Sequence, residues 1–184
     1  MDGQENDAGL YFIWTVSRGN VQFCHRPGGE TMTGKPVRVL IVDGDASFRR
    51  TIRELADDID DVTIVGEAES GNKAVELARD LVPDVILLGT DLLGGNGLRP
   101  MQALSASSPE SRIILSSAAE QDDLVLSALK EGAWGHLLRG ESKPGEVLDA
   151  IRVVSRGGTH LSPRVAGQVL DEIARERRQK ARVK

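Results

Sequence analysis

The stretch Pro83-Asp84-Val85-Ile86-Leu87-Leu88-Gly89-Thr90-Asp91-Leu92-Leu93-Gly94-Gly95-Asn96-Gly97-Leu98 decides the fold. Val85 to Leu88 are four consecutive apolar residues, the mark of a short strand buried on both faces, as parallel sheets bury theirs. The strand signal stops at Gly89. A loop carrying Gly94, Gly95 and Gly97 follows, and a new helical pattern opens at Leu98. In an open α/β sheet, ligands and chemistry gather in the crevice outside the carboxyl ends of the strands. Position 89 therefore stands where function is decided, and its residue has no side chain.

Outward from this stretch the chain alternates strand and helix signals over short connections. Toward the N-terminus, Gly71–Leu81 reads as a helix with Ala74, Val75, Leu77, Ala78 and Leu81 inward, and Val62–Val65 as a strand. Phe48, Ile52, Leu55 and Ile59 recur at helical spacing, with Arg49, Arg50, Arg53 and Glu54 between them. Val37–Val42 is an apolar run ending at Asp43. Toward the C-terminus come a helix over Leu98–Ala106, a strand over Arg112–Ser116, and a helix over Asp122–Glu131 closed by Gly132. A strand over His136–Arg139 and a helix from about Gly145 to Ser155 complete the pattern. Strands and helices alternating at this interval predict right-handed βαβ units around a five-stranded parallel sheet, doubly wound in an α/β fold. Ser162 and Pro163 then set an N-cap with proline in the first helical position, and Val165, Val169, Leu170 and Ile173 mark an extra C-terminal helix. That helix runs into the basic end Arg175–Lys184, whose positive charges suit a helix C-terminus and offer a weak nucleic-acid contact.

Residues 1–35 differ from the rest. They hold Tyr11, Phe12, Trp14 and Phe23, four of the six aromatics, and the breaker cluster Pro27-Gly28-Gly29. Leu10–Val16 has strand composition but no evident partner, so a disordered extension is expected. Cys24-His25 lacks the further ligands a zinc site needs, with His136 and His160 the other histidines. Met32 is a candidate natural start, since Met32-Thr33-Gly34-Lys35-Pro36 leads straight into the first strand. The chain thus divides into an extension (1–35), a sheet domain (36–158) and a linker helix with basic tail (159–184). At 184 residues it has room for one domain with appendages. A net charge of −5 argues against nucleic-acid binding by the chain as a whole. One cysteine fits a reducing cytoplasm, and no apolar run has the length of a membrane span.

Several of these stretches resemble the receiver domain of response regulators of the NarL/LuxR type, from Val37 to about Ala174. They are Val39-Leu40-Ile41-Val42-Asp43, Val65-Gly66-Glu67-Ala68, Pro83-Asp84-Val85-Ile86-Leu87-Leu88, Asn96-Gly97-Leu98, Ala128-Leu129-Lys130-Glu131-Gly132-Ala133 and Gly135-His136-Leu137-Leu138-Arg139. Ala150-Ile151-Arg152 and Gly157-Gly158-Thr159-His160-Leu161-Ser162-Pro163 resemble the last helix and linker of this subclass. The resemblance implies a CheY-like, flavodoxin-type fold. It also implies a phosphotransfer station, in which an aspartate ending the third sheet strand accepts a phosphoryl group. Mg²⁺ held by acidic residues after the first strand assists.

Against that pattern the pocket is degenerate. Counting in from Pro83-Asp84 and back from Asn96-Gly97-Leu98 both place the acceptor position at Gly89. The adjacent acidic pair is broken: Asp43 is followed by Gly44, and Asp45 is better placed to cap the first helix than to reach a metal. Arg139 stands for the family's lysine, whose compact charge a planar guanidinium does not reproduce, and Gly140 follows it. Ser116 keeps the hydroxyl position, with Ser117 next, and His136 occupies the position of the switch aromatic. No orienting acid joins serine and histidine into a hydrolase. The expected protein is a pseudo-receiver, not an enzyme, without a cofactor and with Mg²⁺ bound weakly or not at all; Asp43 and Asp45 are the weak metal candidates. It would signal by protein contact or homodimerisation through the first and fifth helices of the domain or the helix four–strand five–helix five face, in transcription regulation. A small molecule in the emptied pocket is a variant. DNA would be reached only through a missing or separate output domain, and no membrane is involved. The alternative is a working receiver in a phosphorelay using Asp91 as a displaced acceptor; Asp91 could instead fill the vacated space with its carboxylate and mimic a charged state, and against both stands the plain reading of Asp91 as a solvated loop residue.

Overall fold

The computed structural model describes residues 14–17, 20–23, 35–93, 97–118, 122–139 and 142–182. Cys24-His25, Met32, Gly94-Gly95-Asn96 and Gly140 lie outside the described residues. Five strands make one parallel sheet: β3 (Val37–Val42), β4 (Val62–Ala68), β5 (Val85–Gly89), β6 (Arg112–Ser117) and β7 (Gly135–Leu138), in the order β4-β3-β5-β6-β7. Strand β5, the stretch first quoted, is at the centre, and all of its residues are buried. Side chains alternate across a strand. Val85 and Leu87 accordingly join one core cluster and Ile86 and Leu88 the other. The first cluster is closed by α1 (Ala46–Asp57) and α5 (Pro144–Ser155). The second is closed by α2 (Gly71–Leu81), α3 (Arg99–Ser107) and α4 (Asp122–Lys130). This is the doubly wound arrangement the alternation implied, with helices on both faces.

The helix ends follow their sequence signals. Asp45 is the N-cap of α1: its Oδ1 accepts from the backbone N–H of Ser47 at 2.8 Å and of Phe48 at 3.3 Å. Gly132 follows α4 at φ 103°, in the left-handed region where glycine carries no steric penalty. Before α6 (Pro163–Arg182), the Ser162 hydroxyl accepts from the N–H of Val165 at 3.3 Å. Only the start of α6 is well covered. Val165 is buried, and Lys130 on α4 pairs with Glu172 at 2.6 Å, while Leu170 is 67% exposed and Ile173 44%.

The structure differs from the sequence reading in two stretches. β4 runs to Ala68 rather than Val65, because its register against β3 skips one residue: Val39 faces Ile64 and Leu40 faces Gly66. The bulge takes up Val65 and lets pairing continue. A Cβ on Gly66 would stand 2.7 Å from Leu81 Cδ1 and 3.2 Å from Leu40 Cδ1, so the tips of those leucines occupy the space a side chain would take. The second difference is in the extension. The strand that had no evident partner has one: β1 (Trp14–Ser17) pairs antiparallel with β2 (Asn20–Phe23), Trp14 opposite Phe23. Most of the segment expected to be disordered lies outside the described residues, and its described part holds a two-stranded ladder whose strands are separated in sequence by Arg18-Gly19. A two-residue connection with glycine is a short-range hairpin signal. Among the described residues no helix is long and apolar enough to cross a membrane.

Candidate functional site

The carboxyl ends of β3, β5, β6 and β7 bring together residues far apart in sequence. Gly89 pairs with Ser116 in the parallel register, and Asp43 follows the last residue of β3. Asp43 is fully buried. Its Oδ1 accepts from the Asp45 N–H at 2.8 Å and from Arg139 Nη1 at 3.1 Å. The backbone is held as well: Asp43 N–H donates to Ala68 O at 3.0 Å, and Arg49 Nη1 donates to Asp43 O at 2.6 Å. Arg49 is steadied by Glu67 at 3.2 Å.

Arg139, one residue past β7, reaches back over this edge. Its Nη1 meets Asp43 and its Nη2 meets Asp91 Oδ1 at 3.0 Å, so one guanidinium bridges two carboxylates. Nη2 also lies 3.4 Å from Ser116 O. The planar fork supports such a double contact, which a lysine's point charge would not hold in the same way. Phe48, in the first turn of α1, lies under the guanidinium with 4.8 Å from Cζ to the ring centroid, a cation–π contact.

Gly89 is enclosed by this bridge. A Cβ built there would stand 2.5 Å from Asp43 Oδ2, 2.5 Å from Asp91 Oδ1 and 3.0 Å from Asp43 Cγ. At Gly44 it would stand 2.8 Å from Asp91 Oδ2. The missing side chains are therefore matched by the inward swing of Asp91 from the 3₁₀ turn Thr90–Leu93. This corrects the reading of Asp91 as a solvated loop aspartate: its side chain is half-exposed, but it is tied to Arg139 across the sheet edge. No local feature of the chain marks that pair, whose members are 48 residues apart.

Electrostatics at the edge are strained. Burial pushes the Asp43 carboxyl above its usual range; the Asp45 amide and Arg139 pull it down, and Asp91 pushes it up again. Asp43 Oδ2, Ser116 Oγ and Arg139 Nε are buried without a hydrogen-bond partner. His136 is buried with Nε2 2.7 Å from Ser117 Oγ. Sequence reasoning named Phe48 and Ser117 without their parts at the site, Phe48 beneath the arginine and Ser117 beside the histidine. Each carried a weak signal, an aromatic in the first turn of the helix after Asp45 and a second serine at the strand end.

Comparison with known proteins agrees with this architecture. The family model described as response regulator receiver domain matches residues 39–152. Response regulator GacA of Pseudomonas viridiflava is 34% identical over 133 residues, 72% of this chain and 62% of that protein. Nitrate/nitrite response regulator protein NarL of Escherichia coli (strain K12) is 35% identical over 128 residues, 70% of this chain and 59% of that protein. The chain thus spans about three fifths of the length of these curated relatives. Among solved structures, the signal receiver domain of a response regulator NarL from Mycobacterium tuberculosis superposes with a TM-score of 0.62. It is 31% identical, covering 67% of this chain and 99% of that one. The parallel sheet, the pocket at its carboxyl edge and these matches together place the chain in the response regulator receiver domain family of two-component systems, among relatives of the NarL/LuxR type.

Proposed function

We propose that this chain is a pseudo-receiver, a receiver fold that signals through protein contact without phosphoryl control. One observation carries the reading: the space where a side chain at position 89 would stand is filled by Asp43 and Asp91, bridged by Arg139. Glycine offers no nucleophile. The donor set also does not fit a magnesium ion, which takes oxygen ligands in a near-ideal octahedron. Asp45 Oδ1 is engaged in capping α1, Gly44 and Gly89 present no carboxylate, and the guanidinium lies against Asp43 Oδ1. Among the described residues no cluster of three His, Cys, Asp or Glu suits a metal. We infer weak or absent Mg²⁺ binding, no enzymatic turnover and a cytoplasmic setting.

The output is contact with a partner or a second copy, through α1 and α5 or through the α4–β7–α5 face. A link to transcription is supported by relatives such as the transcriptional regulatory protein LiaR of Bacillus subtilis, 33% identical over 137 residues. The rival reading, Asp91 as a displaced acceptor in a phosphorelay, is disfavoured by the pairing of its Oδ1 with Arg139. Incubation with acetyl phosphate and Mg²⁺ followed by intact-mass measurement separates the two. The expected result is an unchanged mass; a gain of one phosphoryl group that Asp91→Asn abolishes would overturn the proposal.

A further inference from the structure

Two surfaces of opposite charge stand apart from the pocket. Residues 54–61 hold five acidic residues and no basic one, and residues 175–184 hold six basic residues and one acidic. Glu54, Asp57, Asp58 and Asp60 are exposed at the end of α1 and in the loop leading to β4, around the partly buried Ile59. Asp57 and Asp58 stand at the C-terminus of α1, whose last turn has no basic residue. They oppose the helix dipole, so a cation docked there is favoured. On α6, Leu170, Ile173 and Arg177 share one face at helical spacing with Arg178 beside them, and all four are exposed. Two α6 helices side by side would not satisfy this face. Paired in parallel they bring arginine to arginine, and antiparallel about Leu170 and Ile173 they set Asp171 against Glu172.

Within one molecule the two surfaces do not meet. Residues 57–61 lead into β4, one edge of the sheet, whereas α6 follows the bridge of His160 to Gly135 on β7, the other edge, and packs on α4. Four strand spacings, roughly 19 Å, separate those edges. Helices α1 and α4 also cover opposite faces. Among the described residues no ion pair joins the two surfaces: Arg175 pairs with Glu172 of its own helix, and Asp61 with Arg152. We propose that the C-terminal half of α6 docks on the acidic end of α1 in a second copy of this chain. Leu170 and Ile173 lie against Ile59, and Arg177 and Arg178 enter among the carboxylates of Asp57, Asp58 and Asp60. A second copy brings matching and opposite charge to each surface, whereas the phosphates of a nucleic acid would meet a chain of net charge −5. The two surfaces differ, so the contact is heterologous and copies associate head to tail. Neither surface includes a residue of the pocket, so this association and the phosphoryl-free reading can fail separately.

The test is sedimentation velocity of the full chain over a concentration series. The association constant is expected to fall at least about ten-fold between about 0.05 M and about 0.5 M NaCl, as the screening length shortens. Arg177→Glu with Arg178→Glu, and separately Asp57→Lys with Asp58→Lys, are each expected to leave a monomer at the lower salt. Mixed in equal amounts, the two reversed chains carry complementary charges again and are expected to associate. If circular dichroism shows that the lysine pair does not fold, Asp58→Lys with Asp60→Lys replaces it. A parent chain monomeric at the lower salt, an association constant independent of salt, self-association that survives either reversal, or a mixture that stays monomeric would each overturn the proposal. Retention of a random DNA duplex through Arg177 and Arg178 in preference to a second copy would assign the helix to nucleic acid and overturn it as well.

Discussion

Placing a side chain at position 89 tests the filled pocket most directly. The added Cβ of Gly89→Ala would lie 2.5 Å from both Asp43 Oδ2 and Asp91 Oδ1, roughly an ångström inside ordinary contact. Asp91 can yield cheaply, because its side chain is half-exposed and the lost arm of a partly solvated ion pair is worth about 1 kcal/mol or less. Asp43 cannot, being buried and held by the Asp45 amide and Arg139. We therefore expect Gly89→Ala to cost about 1–3 kcal/mol, as overpacking a tight site usually does. Gly89→Asp adds a third carboxylate to the same space. At roughly 4 Å and an effective dielectric of about 20, one like-charge contact costs about 4 kcal/mol if both groups stay ionised. The cost should fall as pH is lowered. An introduced carboxyl with a raised folded-state pKa binds more protons in the native than in the unfolded state, so stability declines as pH rises through that window and returns below it. Urea unfolding followed by circular dichroism at pH 7 and pH 5 measures both effects, and the mass assay shows whether Gly89→Asp alone accepts a phosphoryl group, which we expect it not to do. A Gly89→Ala midpoint indistinguishable from the parent, or efficient phosphorylation of Gly89→Asp, would refute the reasoning.

Two further predictions concern the frame of the domain. Asp45→Ala removes the α1 cap and should lower stability by about 1 kcal/mol in the same urea assay, whereas Asp45→Asn, which keeps the acceptor, should lose only part of that. Asp61 accepts two hydrogen bonds from Arg152, at 2.6 and 2.9 Å, and this contact holds its carboxyl below the usual carboxylate range. A depressed carboxyl stabilises above its unfolded pKa and loses that contribution as pH falls through the folded value. Asp61→Asn should therefore cost about 1 kcal/mol or less at pH 7, the pair being partly solvated, and the gap to the parent should narrow below about pH 4, read from thermal midpoints across that range.

The sheet could be read from the sequence because strands buried on both faces appear as uninterrupted apolar runs, and Val85–Leu88 and Val37–Val42 are of that kind. Local devices were readable for the same reason: the Asp45 cap, the Gly132 stop and the Ser162-Pro163 start each act within one helical turn. What escaped depended on neighbours set by topology. Asp91 meets Arg139 only because β5 and β7 flank β6, a relation absent from any window of sequence. The reach of β4 depended on a bulge at Val65, and the β1–β2 pair depended on a short connection overshadowed by its own breaker-rich surroundings.

The three departures at this edge from the family pattern depend on one another. With glycine at 89, Asp91 can swing in beside Asp43; two carboxylates so close then need a cation that serves both, and a guanidinium stacked on Phe48 does so where an ammonium on a flexible stem would satisfy one. Glycine at 44 leaves room for Asp91 Oδ2. Reverting any single position therefore removes one support while leaving a buried carboxylate facing the others, and single effects will not sum to the effect of the combined reversion. Such coupling is what an alternative, internally compensated packing of the pocket entails. A pocket merely decaying by independent losses would show near-additive reversions instead.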